Sequence, residues 1–216
     1  MRYSLSCNCC GACVYEASDG NVYSDDFSGT LDANWDYADN DPFGTDDTLQ
    51  ITSGKLEAVS NGLNNVPKWI LHTTDDGVYA YSGLKVILEV DIYEVDFSKT
   101  QAVSVTLSSA VTWQVNADWT NGTFGLSEVN GPSGVTLSQA PVDGDKITII
   151  VEHVSGYTWR ICGYVNEENF GEISTEYNPG QPNVIVTPFL PYDHDTATTG
   201  DKLVSFDNYT VHIGNP

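Results

Sequence analysis

The chain has 216 residues, of which 40% are apolar and 11% aromatic, so it can bury a core of ordinary size and is not a disordered protein. It carries 30 acidic residues against 8 basic ones, a formal charge of −22 that repels phosphate backbones and anionic lipid surfaces. This charge excludes nucleic acid as a partner and favours solubility, divalent cations and neutral or cationic partners.

Residues 1–20 show no regular apolar pattern and are predicted to form a separate arm. The arm contains a cysteine cluster, SCNCCGAC, whose members are Cys7, Cys9, Cys10 and Cys13. Four thiolates with a two-residue gap, and Gly11 to help the turn, could bind zinc. They could instead form disulfides within the arm or between chains, or the arm could be inert. The arm lacks the roughly 7–15-residue apolar run of a secretory signal, and no stretch has the ~20 apolar residues needed to span a bilayer.

The sequence after the arm alternates between apolar and polar residues. In GLKVILEVDIYEVDF (83–97), one face carries Leu84, Val86, Leu88, Val90 and Ile92, and the other carries Lys85, Glu89, Asp91 and Tyr93. Similar short runs, separated by turn-forming Gly, Asn, Asp and Pro residues, continue to the C-terminus. No segment has a helical pattern. We therefore expect an all-β protein, an antiparallel two-sheet jelly-roll sandwich over residues 21–216.

Several aromatic residues are candidates for contact with a sugar, since aromatic rings stack on sugar C–H surfaces and Asn, Asp and Gln bind hydroxyl groups. The preferred surface candidates are Trp119, beside an NGT turn, and Tyr192, Asp193 and His194 in a predicted PYDHD loop. Trp69 and Trp113, the latter with Gln114 and Asn116, are further candidates, although any of these tryptophans could belong to the core. Strand alternation favours the core for Trp113 and Trp159.

The order of four segments resembles a known family of sandwich domains. These segments are DDFSGTLDANWDY (25–37), LQITSGKLEAVS (49–60), DKITIIVEHVSGYTWRICGYVN (145–166) and VSFDNYTVHI (204–213). Together they are similar to concanavalin A-like lectin/glucanase (LamG-like) domains over about residues 22–214. The resemblance implies a jelly roll but no particular activity, because this fold occurs in enzymes, lectins and structural modules.

The resemblance also implies a calcium site. Related domains often hold the ion with a carbonyl near the first strand, a carbonyl at a turn glycine and the Asp of the last strand. The matching positions are Asp26, Gly54 and Asp207. Calcium takes six to eight oxygen ligands. The three segments are expected to converge where the first and last strands pair, so an ion here would join the two ends of the domain. Alternatively, Asp207 only caps the edge of a strand.

The segment EVDIYE is similar to the Glu-x-Asp-x-x-Glu signature of retaining glucanases with this fold. The resemblance implies that Glu89 would be the nucleophile and Glu94 the acid, with Asp91 between them. The mechanism needs two carboxyl groups about 5–5.5 Å apart on one face, but alternation points Glu94 to the opposite face unless a bulge intervenes. Tyr93 also departs from the aliphatic residue of the signature. An ordinary solvent-facing strand explains these carboxylates equally well.

These observations favour a non-catalytic, lectin-like structural or adhesive module over the alternative, a retaining β-glucanase-like glycoside hydrolase. An arm of this kind before a lectin-like sandwich is similar to the architecture of virion decoration and tail-adhesion proteins and of large surface proteins. This resemblance implies a surface or virion component, made in the cytoplasm and acting on a virion or other extracellular surface. Its arm would attach it to copies of itself or to a larger assembly, and its sandwich could bind glycans. Cys162, which alternates with inward-facing Ile161, is expected to be an isolated thiol.

Overall fold

The computed structural model describes residues 21–38, 47–62, 68–93, 98–131, 134–194 and 198–214. Every regular secondary-structure element assigned in these ranges is a β-strand. The strands form two antiparallel sheets, so the predicted all-β sandwich is confirmed. None of the described residues forms a helix long and apolar enough to cross a membrane. The predicted arm, with Cys7, Cys9, Cys10 and Cys13, lies outside the described residues.

The strands are named here in chain order. They are β1 (Asn21–Asp25), β2 (Trp35–Tyr37), β3 (Thr48–Thr52), β4 (Lys55–Val59), β5 (Lys68–His72), β6 (Gly77–Ala80), β7 (Lys85–Tyr93), β8 (Ser98–Leu107), β9 (Val111–Asp118), β10 (Thr123–Glu128), β11 (Val135–Leu137), β12 (Asp145–Ser155), β13 (Thr158–Val165), β14 (Glu168–Glu176), β15 (Asn183–His194) and β16 (Lys202–Gly214). Sheet A has the order β14-β13-β12-β7-β16-β4-β3, with β1 also paired to β16. Sheet B has the order β11-β10-β9-β8-β15-β5-β2, with β6 also paired to β15.

The core lies between the two sheets. Strand β7 alternates as predicted, and Val86, Leu88, Val90 and Ile92 on its inner face have no exposed surface. Trp113 from sheet B and Trp159 from sheet A are also fully buried, with ring centroids 6.0 Å apart. The prediction that these two tryptophans belong to the core is therefore confirmed.

The first and last described strands lie side by side, as the sequence predicted. Strand β1 pairs with β16 from Asn21 opposite Ile213 to Asp25 opposite Tyr209. A register shift interrupts the pairing of β16 with β7 between Asp207 and Thr210. Residue Asn208 within this bulge has a φ of 51°, a left-handed conformation that Asn tolerates better than most residues.

A second, smaller apolar cluster lies on sheet A and consists of Ile87, Ile150, Cys162 and Tyr164. Cys162 is disulfide-bonded, so the prediction of an isolated thiol is wrong. Its Sγ lies 3.8 Å from Glu172 Oε2, which is a contact rather than a hydrogen bond because a disulfide sulfur has no proton to donate. Alternation predicts which face of the sheet carries the Cys162 side chain, but it does not predict a disulfide partner that is distant in sequence.

Candidate functional site

The outer face of sheet B carries two rows of side chains that run across its strands. Alternation turns Val103 and Val105 into the core, so the residues between and beside them face outward. In the first row, cross-strand pairing places Ser104 between Phe189 and Gln114. The second row contains Trp69 opposite Pro191, Ala102 opposite Asn116, and Gly125 opposite Asn116 on its other side. We refer to Trp69, Phe189, Ser104, Gln114 and Asn116 as the sheet B face.

One side of the sheet B face is aromatic. The Trp69 and Phe189 rings meet edge to face, with centroids 5.4 Å apart and an angle of 85° between their planes. Both side chains are half-buried, so part of each ring remains accessible. The backbone carbonyl of Trp69 accepts a hydrogen bond of 2.8 Å from the Ala38 N–H, which holds this strand position in place.

The floor of the sheet B face is made of small side chains. Ala102 is 3% exposed, Ser104 has no exposed surface, and Pro191 is buried. The Ser104 Oγ makes no hydrogen bond to the described residues. A buried hydroxyl without a partner costs about 1–3 kcal/mol, and because Ser104 has no exposed surface, a ligand on this face does not reach the hydroxyl to offset that cost.

The other side of the sheet B face is polar. Gln114 and Asn116 are half-buried, and their amides can each donate and accept hydrogen bonds. The Asn116 side chain lies over Gly125, where an added Cβ would come within 2.6 Å of Asn116 Oδ1. From Trp69 on β5 to Asn116 on β9 there are three strand spacings, or roughly 14 Å. The face therefore has one aromatic side and one amide side.

The structure corrects the preferred surface candidates. Tyr192 is only 2% exposed and lies in strand β15 rather than in a loop, so it cannot stack on a ligand. Alternation explains the error, because Leu190 and Tyr192 point into the core while Phe189 and Pro191 point outward. Trp119 is half-buried and packs against the core. Asp193 is half-buried, and the side chain of His194 lies outside the described part of the chain.

The Tyr192 hydroxyl belongs to a buried polar network. It donates a 2.7 Å hydrogen bond to Asp47 Oδ2 and lies 3.1 Å from the Tyr37 hydroxyl. Burial, together with these two neighbours, raises the pKa of Tyr192 far above its ordinary value. The phenol therefore stays protonated and serves as a donor to a carboxylate that is itself 5% exposed.

The three segments of the expected calcium site converge on β16. Asp25, next to Asp26, pairs with Tyr209, and Leu56, two residues beyond Gly54, pairs with Phe206. Gly54 has a φ of 74°, which the tight turn between β3 and β4 requires. This convergence agrees with the expectation that the ends of the domain meet there. Among the described residues, no group of three or more His, Cys, Asp or Glu side chains is arranged to hold a metal ion.

The electrostatics at Asp207 bear on whether a cation fits. Partial burial is the main cause that raises the pKa of Asp207, and the nearby charges of Asp91 and Asp26 raise it further. The Asn208 N–H, which donates a 2.8 Å hydrogen bond to Asp207 Oδ1, and Lys55 act in the opposite direction. A site that disfavours the ionised carboxylate in this way is one where a cation would relieve repulsion.

The carboxylates of the glucanase-like segment lie on sheet A. Glu89 Oε1 is 3.7 Å from Lys146 Nζ, and Asp91 Oδ2 accepts a 2.7 Å hydrogen bond from Asn208 Nδ2. Both residues line a pocket of about 530 Å³ beside Asp25 and Asp26. Glu94 lies outside the described residues, so the predicted acid–nucleophile pair is not tested. This pocket and the sheet B face belong to different sheets.

No model of a known protein family matches the chain, and no curated protein matches it. Many solved structures do match. Lectin II from Ulex europaeus is 10% identical, with a TM-score of 0.55 over 92% of this chain and 100% of that one. The alginate lyase Aly36B, solved with an alginate trisaccharide, is 11% identical, with a TM-score of 0.61 over 90% of this chain and 99% of that one. The CBM2 module of the evolved Dit of Lactobacillus casei phage J-1 is 10% identical, with a TM-score of 0.51 over 91% and 97%.

The chain has a lectin-type jelly-roll fold. At these identities the likeness shows the fold alone, and the matched proteins include a lectin, a lyase and a phage module. The function of this jelly roll must therefore be argued from its own residues. Sequence reasoning included Trp69, Gln114 and Asn116 among its candidates but missed Phe189 and Ser104. Alternation along β8 and β15 places Ser104 and Phe189 on the outer face, but only once the inward residues of both strands are known.

Proposed function

We propose that this protein is a non-catalytic glycan-binding module that holds saccharides on the sheet B face. The observation that supports this best is the edge-to-face pair of Trp69 and Phe189, whose half-buried rings leave aromatic surface accessible on one side of the face. The half-buried amides of Gln114 and Asn116 lie on the other side. An accessible aromatic side and an amide side on one face match the needs of a sugar ring.

Each part of the sheet B face has a role in this proposal. The Trp69 ring stacks on the C–H surface of one sugar unit, and Phe189 supports the indole from its edge. The amides of Gln114 and Asn116 bind ring hydroxyl groups. Because the chain carries a formal charge of −22, neutral or cationic saccharides are favoured over polyuronates and sulfated sugars.

The proposal is tested with a glycan array followed by calorimetric titration of the best neutral ligand. Trp69→Ala should weaken binding by at least tenfold while the protein stays folded. The matched control is Tyr157→Ala, which removes a 48% exposed aromatic ring at the turn between β12 and β13 of sheet A. Failure of every glycan to bind, or equal affinity in Trp69→Ala and the unmodified protein, would refute the proposal.

The wider role that we propose is structural or adhesive. The module would be part of a surface or virion, attached through residues 1–20 to copies of itself or to a larger assembly. Likeness to a phage module supports this role at the level of fold. The mass of the native oligomer or particle, measured with and without reductant, tests the attachment. An unchanged monomer mass in all conditions would contradict it.

A calcium ion bound by Asp207 and the carbonyls near Asp26 and Gly54 is also part of the proposal. Here the ion would join the β1 edge, the turn between β3 and β4 and the bulge of β16. The support is the convergence of the three segments and the repulsion among the nearby carboxylates. Such an ion stabilises the folded domain in proportion to its affinity and concentration.

The glycoside hydrolase alternative has a direct test. We expect the unmodified protein to leave β-glucans such as laminarin intact. If hydrolysis is found and Glu89→Gln abolishes it, the non-catalytic proposal fails. Glu152→Gln, which changes a carboxylate paired with Arg160 on the same sheet, is the matched control.

A further inference from the structure

Four buried residues face away from the core on sheet A. Ile87, Ile150, Cys162 and Tyr164 are 2%, 0%, 0% and 6% exposed. Alternation directs their neighbours, among them Val86, Ile149 and Ile161, into the sandwich, so these four side chains lie on its outer face. We refer to them as the outer cluster. Side chains as large as Ile and Tyr on an open sheet face are not buried to this degree unless another part of the molecule lies over them.

Along the strand direction, a charged pair lies at each end of the outer cluster. Lys146 Nζ lies 3.7 Å from Glu89 Oε1 on one side, and Arg160 and Glu152 form a 2.8 Å ion pair on the other. The cross-strand register places Glu152 and Arg160 one row beyond Cys162. At the other end, Glu89 lies in the same row as Tyr164, and Lys146 lies one row beyond it. The apolar area is therefore narrow, which suits a single chain segment better than a second sheet.

The disulfide of Cys162 identifies that segment. The chain has five cysteines, and the other four are Cys7, Cys9, Cys10 and Cys13. We infer that residues 1–20 lie across the outer cluster and that one of the four arm cysteines is disulfide-bonded to Cys162. The arm would thus be attached to its own sandwich rather than extended from it.

The cross-strand register shows that the arm is long enough. Val22 pairs with His212, and the same row continues through Ile87 and Ile150 to Cys162. This row spans four strand spacings, or roughly 19 Å. The eight residues from Cys13 to Asn21 can span about 26–29 Å when extended. Every cysteine of the arm can therefore reach Cys162, and the row leads directly from the start of β1 to it.

The pairing has consequences for the remaining thiols. One arm cysteine in a disulfide leaves three, so a zinc ion held by all four arm thiolates cannot form at the same time. Three cysteines can make at most one more disulfide, so at least one sulfur stays outside intrachain pairs. That sulfur is available to link the module to a second copy or to a scaffold. The same arm would then cover the outer cluster and join the assembly.

Peptide mapping of the unmodified full-length protein tests the pairing. The protein is equilibrated in a glutathione redox buffer, its free thiols are alkylated under denaturing conditions, and it is digested with trypsin without reduction. Cleavage after Lys and Arg puts all four arm cysteines on peptide 3–55 and Cys162 alone on peptide 161–202. We expect a linked pair of these two peptides from monomeric protein, which separates on reduction.

Three outcomes would overturn the inference. They are an alkylated or glutathione-linked peptide 161–202, a link found only in a covalent dimer, and a zinc complex of all four arm thiolates with Cys162 free. Hydroxyl-radical footprinting of the oxidised protein tests the cover independently. Tyr164 should be labelled at least several-fold less than Tyr157, which is 48% exposed and serves as the reference. Equal labelling would show that the outer cluster is bare.

Discussion

The Trp69 and Phe189 rings form an edge-to-face pair, 5.4 Å between centroids, on the outer face of a sheet whose other side forms half of the core. Such a pair contributes about 0.5–1.5 kcal/mol beyond the area that it buries. It holds the indole in one orientation before a ligand arrives. If the sheet B face binds a glycan as proposed, Phe189 should affect the affinity even where it does not touch the sugar.

Phe189→Ala should lower the affinity for the glycan by roughly two- to tenfold, because the indole then loses its edge contact and must be ordered on binding. Phe189→Tyr keeps the ring and should bind like the unmodified protein. Calorimetric titration measures both variants. If Phe189→Ala binds as tightly as Phe189→Tyr, the indole does not depend on this contact.

Ser104→Ala should separate stability from binding. Removing a buried hydroxyl that has no partner among the described residues should raise the free energy of unfolding by about 1 kcal/mol, and glycan binding should not change because this hydroxyl has no exposed surface. Urea denaturation and calorimetric titration measure the two effects. In the matched control, Thr106→Val, a hydroxyl 2.8 Å from the Thr112 hydroxyl is lost, so stability should fall. A loss of stability in Ser104→Ala would mean that its hydroxyl is already satisfied.

Tyr192→Phe should reduce the free energy of unfolding by about 1.5–3 kcal/mol, because the buried Asp47 carboxylate loses a 2.7 Å hydrogen bond from the phenol. Urea denaturation provides the measurement. Tyr37→Phe removes the hydroxyl contact at 3.1 Å but leaves the bond from Tyr192 to Asp47 in place, so it should cost less. Glycan binding should not change in either variant, since Tyr192 is buried, and a selective loss of binding in Tyr192→Phe would restore it as a ligand residue.

The raised pKa of Asp207 determines how the stability of the folded protein should depend on pH and on calcium. The folded state binds a proton on Asp207 more tightly than the unfolded chain does. The stability that this proton contributes is therefore fully present below the ordinary pKa of 3.8 and is lost as the pH rises through the raised pKa of the folded state. At neutral pH without calcium, Asp207→Asn should therefore raise the melting temperature.

Calcium should reverse the order of the two melting temperatures. It should raise the melting temperature of the unmodified protein and have little effect on Asp207→Asn, as measured by thermal denaturation with chelator and with excess calcium. The control is Asp36→Asn, which removes one negative charge at an exposed position of this chain of formal charge −22. An equal response to calcium in the unmodified protein and in Asp207→Asn would rule out Asp207 as a ligand.

The candidate site shows where sequence reasoning succeeded and where it failed. The core position of Trp113 is predictable from the sequence because its strand alternates without interruption, and the family resemblance implies the pairing of β1 with β16. Tyr192 was misplaced because Pro191 and the following Asp193 suggested a loop, whereas they continue strand β15. Local composition does not show whether a polar segment continues a strand whose neighbours lie far away in sequence.

The sequence by itself determined the two-layer architecture, because a period of two in the apolar residues leaves each strand one face to bury. Only the tertiary structure decided which residues share a surface. Ser104 lies beside Phe189 and Cys162 lies in one row with Val22 through pairings between strands that are far apart in the chain. Those pairings depend on the packing of the whole core, and a shift of one residue would turn every one of these side chains to the other face.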